Sequence, residues 1–338
     1  MRFFKFEDLK VKLMEMFKKA GLTDENARIV IDVIMRATLR EVGHHDIYDL
    51  PSRFAGLLSG KTKPNPVFSL ISKNKGLESY DGDTGLGELA CMFITKRAEK
   101  LAAEHGLSIC TVRNSNHFLA SSPYTEAAAE DGFWAYFITR GGPSVAAPGR
   151  KEPVIGASPM GFSAPTNKGY PIMFDACVAY LSNGVLNAKI KAGETVPSHW
   201  GLDPNGNPTS DPKLIKEGTR TFIGGHKGFG IAIWAELVTG LLSDGQLIDE
   251  TMPDGTEGRT SHTIICIDAG GLVGKDRLLS RAGEMIDRMT ARASGLTVPG
   301  QRSAASKKKL LDAGGISLRD DLVERLNKIC KQLELPEI

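Results

Sequence analysis

The stretch Arg40-Glu41-Val42-Gly43-His44-His45-Asp46-Ile47-Tyr48-Asp49-Leu50-Pro51-Ser52-Arg53 gathers imidazoles, carboxylates and guanidiniums. They fall within about four helical turns or one compact loop. Histidine titrates near neutrality, so an imidazole here can give or take a proton at working pH. His45 is read as that group. Adjacent histidines at the end of a helix also complement its dipole, which requires no chemistry. The choice between these readings rests on clusters elsewhere in the chain.

Strands that end in polar groups supply those clusters. Residues 107–112 read as a buried strand running into Arg113-Asn114-Ser115-Asn116-His117-Phe118. Residues 133–138 form another, ending in Thr139-Arg140-Gly141-Gly142, and residues 171–175 end in Asp175. Strand ends present side chains to a ligand from a rigid frame. His117 also fits a hydrogen-bonded structural role, and Asp175 must be paired or near solvent, because burying a lone carboxylate is costly. The Gly/Pro/Ala-rich segment 143–165, with Gly156 and Ser158, lets backbone approach a ligand closely.

The loop Gly224-Gly225-His226-Lys227-Gly228-Phe229-Gly230 sets glycines around a lysine before a helix. Helix N-termini offer N–H groups and positive potential to phosphate. It is not a Walker A loop, since Gly228 rather than Ser or Thr follows Lys227. Gly85-Leu86-Gly87-Glu88-Leu89-Ala90 matches GxGxxA, but no apolar strand precedes it, so it reads as a plain capped helix. No metal centre is expected. His44, His45 and Asp46 are ligand types, yet adjacent residues rarely converge on one ion, and HExxH and spaced Cys/His sets are absent. The lack of GxSxG excludes the usual serine hydrolase.

The elements that must position these groups follow from periodicity. An amphipathic helix is expected over 6–19, closed by Gly21. A second, capped by Thr23 or Asp24, buries Ala27, Val30, Ile31 and Ile34 and runs into the histidines. Strands are expected at 67–71 and 262–268, and helices at 231–242, 277–294, 304–313 and 318–335. Residues 189–219 are polar and proline-bearing and read as a surface excursion. A length of 338 residues suggests about two domains. A net charge of +2 without a basic block argues against nucleic acid. The five cysteines are scattered with no CxxC, no apolar run approaches a membrane span, and the N-terminus meets charge too early for a signal peptide. A cytoplasmic protein without a membrane segment is expected.

Taken in order, the clusters resemble the malate/L-lactate dehydrogenase family of the second type, non-Rossmann NAD(P)-dependent oxidoreductases. That family's R-G-V-D-S-H-G-I stands here at 40–47 and its S-N-H-F at Ser115-Asn116-His117-Phe118. G-T-N-P stands at Gly156-Ala157-Ser158-Pro159, and L-D-M at Phe174-Asp175-Ala176. The W-x-x-D-x-x-G-x-P-T-x-D-P pattern covers Trp200, Asp203, Gly206, Pro208-Thr209 and Asp211-Pro212. G-G-x-K-G-[YF]-G is intact at 224–230, with late matches at Pro299-Gly300-Gln301 and Gly315-Ile316.

The resemblance implies an α/β (α+β) fold. A non-Rossmann, largely antiparallel or mixed sheet (76–273, with the excursion at 189–219) would bind NAD or NADP, and a helical domain would come from both chain ends (1–75 and 274–338). It implies a homodimer and hydride transfer to a C=O or C=N bond of a small polar substrate. His45, His117 and Asp175 would be catalytic. Ser115, Phe118, Thr139, Gly156, Ser158, Asp175, His226, Lys227, Gly228 and Arg302 would hold the cofactor. Departures from the family pattern are His44 for serine, Asp46 for glycine, Ser158 for asparagine and, above all, Asp49 for the arginine that grips a substrate carboxylate. The sequence leaves three readings open. Arg140 or Arg53 takes over the carboxylate; or His44, Asp46 and Asp49 face a cationic or imine substrate; or catalysis has lapsed and the fold only binds.

Overall fold

The computed structural model describes residues 1–43, 45–250 and 260–338. Strand β1 (Arg2–Lys5) leads into α1 (Phe6–Lys19) and α2 (Asp24–Leu39). Thr23 caps α2 by accepting the Asn26 N–H, and apolar residues at helical spacing bury Ala27, Val30, Ile31 and Ile34. The helix stops at Arg40. Glu41 and Gly43 then take positive φ, turning the chain into a 3₁₀ turn, Ile47–Asp49, and α3 (Leu50–Leu58). Asp46 caps that turn by accepting the Tyr48 N–H.

β2 (Ser69–Asn74) and β3 (Leu77–Asp81) form a hairpin before α4 (Gly87–His105), β4 (Leu107–Ser115), α5 (Ser122–Glu130) and β5 (Trp134–Thr139). Short strands β6 (Val145–Ala146) and β7 (Pro153–Ile155) precede β8 (Met160–Ala164) and β9 (Ile172–Ala176). Then come α6 (Asn183–Ala192), β10 (Gly201–Leu202), α7 (Pro212–Glu217), β11 (Thr219–Arg220) and α8 (His226–Glu236), which runs on as a π-helical turn, Leu237–Leu241. β12 (Thr260–Ile267), α9 (Gly270–Val273), α10 (Lys275–Arg292), α11 (Gln301–Ala313), β13 (Gly315–Leu318) and α12 (Asp320–Gln332) finish the chain.

The main sheet has seven strands in the order β2-β3-β4-β12-β5-β8-β9. Only β3 and β4 run parallel, joined by α4; every other pair is antiparallel. The mixed, largely antiparallel α/β architecture is therefore the expected one. Alternation along β12 turns His262, Ile264 and Cys266 to one face, where Cys110, Val112 and Phe137 meet α4 and α5 in the main core. The opposite face carries the π-helical turn, whose Val238 carbonyl accepts from the Thr263 hydroxyl. A smaller sheet, β10-β11-β6-β7, stands beside the large one.

β1 pairs with β13, so both chain ends meet in the helical layer. Three boundaries differ from expectation. The limit at 75/76 falls inside the β2–β3 hairpin, whose strands are hydrogen-bonded partners. α10 leans on the sheet rather than on the terminal helices. Its Leu278, Met285 and Met289 border an apolar groove with Trp134, Phe162 and Ile172, which a reading by chain position misses. Finally, the polar excursion carries its own small core of Leu181, Leu186, Val196 and Ile215, with Trp200 against it.

Candidate active site

A cleft of about 1130 Å³ lies between the helical layer, the ends of β4, β5 and β9, and the small sheet. His45, His117 and Asp175 line it together with Phe118, Thr139 and Arg140. The sequence separates these residues widely, and strand ends converge them.

His117 sits in a loop pinned from several sides. α4 packs on it so tightly that a Cβ at Gly87 would lie 2.4 Å from the His117 carbonyl oxygen and 2.5 Å from that of Asn116. His262 Nε2 is 3.0 Å from the Asn116 oxygen and its Nδ1 is 2.8 Å from the Thr139 hydroxyl. A carbonyl only accepts, so the proton of His262 is on Nε2 and Thr139 donates to Nδ1. Burial pushes the His262 pKa down to about 4. Leu119, at φ +80°, turns its N–H back onto His117 Nδ1 at 3.2 Å, and Arg53 Nη2 approaches the same nitrogen at 3.0 Å. Both groups only donate, so His117 is neutral with its proton on Nε2. The protein crowded around it and then the Arg53 charge push its pKa down to about 3. Half of the side chain opens to the cleft.

His45 lies beside it, with ring centroids 5.0 Å apart. Asp49 Oδ2 is 3.7 Å from His45 Nδ1 and 2.9 Å from Arg53 Nη1. Burial would raise the Asp49 pKa, but His45, Arg53 and His117 outweigh it and bring the carboxyl down to about 2. The carboxylate is thus ionised and set behind His45. His45, Asp49 and His117 also have ligand atoms within 4.8 Å of one another. The Arg53 guanidinium occupies the approach to two of them, which suits ion pairing and not a metal.

Asp175 borders the cleft at the end of β9. Its Oδ2 accepts the Ser122 N–H at 2.7 Å, so it also caps α5. Surrounding protein raises its pKa, opposed by the Ser122 bonds and by His45.

The other expected site residues divide by position. His44 lies outside the described residues. Arg302 lines the cleft and is exposed. Ser115 and Ser158 are buried in the supporting structure, and a Cβ at Gly156 would strike the Gly141 carbonyl at 2.2 Å. Asp46 points away from the cleft and caps backbone N–H groups of Gly43 and Tyr48, and burial raises it to about 6. Both guanidiniums expected to replace the missing arginine are already engaged. Arg53 bonds Glu88 at 2.6 Å, and Arg140 bonds Glu236 at 2.9 Å and the Ile248 carbonyl at 2.7 Å. Asp49 is likewise taken, by Arg53 and His45, so neither it nor Asp46 stands ready for a substrate cation. The glycine-rich loop is not in the cleft either. His226 and Lys227 are exposed, Gly228 is buried against Phe222 and Val178, and only Gly225 reaches a neighbouring cavity of about 580 Å³. The loop stands behind the cleft wall: the Gly224 N–H donates to the hydroxyl of Tyr180, which lines the cleft.

Sequence reasoning missed His262, Glu88 and Arg220. A histidine in an apolar strand and an acid in a first helical turn carry no local sign of their partners. Arg220, buried in the cleft wall, stands among ordinary polar neighbours.

A family model described as malate/L-lactate dehydrogenase matches residues 4–327. The malate dehydrogenase of Pyrococcus horikoshii is 26% identical over 337 residues, spanning 95% of this chain and 92% of that protein. A delta(1)-pyrroline-2-carboxylate/delta(1)-piperideine-2-carboxylate reductase of Pseudomonas putida is 27% identical, with 96% of each chain covered. The solved structure of a sulfolactate dehydrogenase from Methanocaldococcus jannaschii superposes with a TM-score of 0.90 at 26% identity, over 99% of this chain and 98% of that one. The chain belongs to the malate/L-lactate dehydrogenase family.

Proposed function

We propose that this protein is an NAD(P)H-dependent oxidoreductase acting on a C=O or C=N bond of a small polar substrate, a 2-oxo acid/2-hydroxy acid pair or a cyclic imine carboxylate. One observation carries the reading: the cleft holds a proton carrier beside a locked neutral donor. His45 is backed by an ionised Asp49, and His117 keeps its proton on Nε2. In reduction, His45 would deliver a proton to the oxygen or nitrogen that gains charge, and Asp49 would hold the imidazole in place. The His117 Nε2–H would hold the same heteroatom without titrating near neutrality.

The cofactor supplies the hydride when bound. The cleft suits a long polar ligand. Gly141 and Gly142 line it, and a Cβ at either would meet nothing within 4 Å, so the backbone there stays bare for close approach. Phe118, Thr139 and Asp175 on its walls and Arg302 at its rim would hold the cofactor. The reading extends to a cytoplasmic homodimer. It is supported by five free cysteines and by an apolar face of α8 and its π-helical turn, where Ile231, Trp234, Leu237 and Leu241 are exposed. No helix among the described residues is long and apolar enough to cross a membrane.

The test offers purified protein NADH or NADPH with a panel of 2-oxo acids and cyclic imines and follows loss of the reduced nicotinamide. Oxidation of neither nucleotide with any of them sinks the reading. His45→Ala is expected to bind nucleotide normally and lose turnover; undiminished turnover removes His45 from its role.

A further inference from the structure

The described residues include four buried guanidiniums: Arg40, Arg53, Arg140 and Arg220. The first three each face a glutamate, Glu126, Glu88 and Glu236 respectively. Arg220 faces none. It is 5% exposed, lines the cleft, and is anchored only by carbonyls: Nη1 donates to Leu181 at 3.0 Å and Nε to Ser144 at 3.3 Å. Nη2 has no acceptor among the described residues. Burial lowers its pKa, the sign of a cation without a counter-charge. Removing a charge from water without a partner is unfavourable, so a fold that keeps one needs an anion there.

The N-terminus of α6 reaches the same part of the cleft. Ser182 and Asn183 line it, and the Ser182 hydroxyl takes the Val185 N–H. An α-helix leaves its first N–H groups without intrahelical acceptors and carries positive potential at that end. α6 has ten residues, enough for that potential to develop.

We propose that Arg220 and the first turn of α6 form an oxyanion subsite in the cleft, built for a phosphoryl or carboxylate group. The subsite rests on the dehydrogenase reading for its occupant and on its own geometry for its existence. Arg220 is held by β11 in the small sheet, whereas His45 and His117 come from the helical layer and the end of β4. The two centres therefore occupy different walls of one cleft, as a dinucleotide phosphate requires when its other end reaches the reacting atoms. Arg53 and Arg140 are neutralised by Glu88 and Glu236, whereas Arg220 brings to the cleft a buried cation with no carboxylate partner among the described residues.

The test uses calorimetric titration of the full-length protein with inorganic pyrophosphate, NADH, NADPH and, separately, a 2-oxo acid. Wild type is expected to bind pyrophosphate, and Arg220→Gln to weaken that binding by about tenfold or more. Arg220→Lys, which keeps the charge, should recover part of it. Asn183→Asp places a carboxylate where a helix N-terminus favours one, so its melting temperature should hold while anion binding falls. Parallel weakening of both nucleotides assigns the subsite to the cofactor. Weakening of the 2-oxo acid alone assigns it to the substrate. Pyrophosphate binding that is lost in Arg220→Gln, in a protein that binds no nucleotide, supports the subsite while sinking the dehydrogenase reading. Equal binding of all four ligands by wild type, Arg220→Gln and Asn183→Asp overturns the subsite, as does a wild type that binds neither pyrophosphate nor nucleotide.

Discussion

Asp49→Asn keeps the shape of the side chain and removes its charge. In the wild-type cleft the Asp49 carboxylate is 3.7 Å from His45 Nδ1. Opposite unit charges at about 4 Å attract by about 1 kcal/mol in water and about 4 kcal/mol at an effective dielectric near 20. Asp49 is 27% exposed, and Arg53 shares its charge at 2.9 Å, so the low end applies. We take its attraction for the proton that His45 carries in the transfer as about 1 kcal/mol, about fivefold in rate. Asp49→Asn should therefore lower kcat/KM about fivefold and leave nucleotide affinity unchanged. Undiminished kcat/KM refutes the dyad. A loss confined to KM for cationic substrates assigns Asp49 to the substrate instead. Stability carries a second signature. The Asp49 pKa is depressed from 3.8 to about 2 in the fold, so its stabilising contribution is present above about pH 4 and lost as pH falls through about 2. Asp49→Asn should lose less stability than wild type across that window, the remaining loss coming from other paired carboxylates such as Glu78 and Glu126.

Other expectations follow from the supporting residues. His262 has a folded pKa of about 4 against an ordinary 6.5, so the unfolded chain takes up its proton first as pH drops; stability present above pH 6.5 should fall by about 3 kcal/mol on the way to pH 4. Urea midpoints across that range check this, and His262→Gln should flatten the dependence. Gly87→Ala pushes a methyl group into the Asn116 and His117 carbonyls, and should cost about 1–3 kcal/mol in a thermal melt and most of the turnover. Wild-type activity in the Gly87→Ala variant would show that the His117 loop needs no such support. Arg140→Ala strands Glu236 and should destabilise by about 3–5 kcal/mol, with much of that recovered in the Arg140→Ala/Glu236→Gln double variant. A large rise in KM for 2-oxo acids in that folded double variant would restore Arg140 as a carboxylate clamp.

Local periodicity made much of the fold legible. α1 starts and stops where its apolar spacing and Gly21 place it, and β4, β5, β9 and β12 lie within a few residues of their apolar runs. The strand before the GxGxxA stretch was not legible, because β3 buries Glu78, Ser79 and Tyr80 through a pairing with Arg97 and a contact with β4. Without those partners its residues read as a loop. The order of clusters along the chain carried the family, because motif order survives where individual residues change.

What only the tertiary structure decided was the ownership of charge. As sequence, Arg53 and Arg140 are candidates for a substrate carboxylate and Lys227 for a phosphate. Glu88 and Glu236, which the fold brings in over tens of residues, engage the two arginines, while Lys227 stays exposed. The protonation of His117 depends on Arg53 and on the backbone of Leu119, and that of His262 on Thr139 and Asn116. Arg220 is visible as a site residue only because the other buried guanidiniums each have a carboxylate. Helices and strands answer to neighbours a few residues away. A buried charge answers to whatever the whole fold places within a hydrogen bond of it.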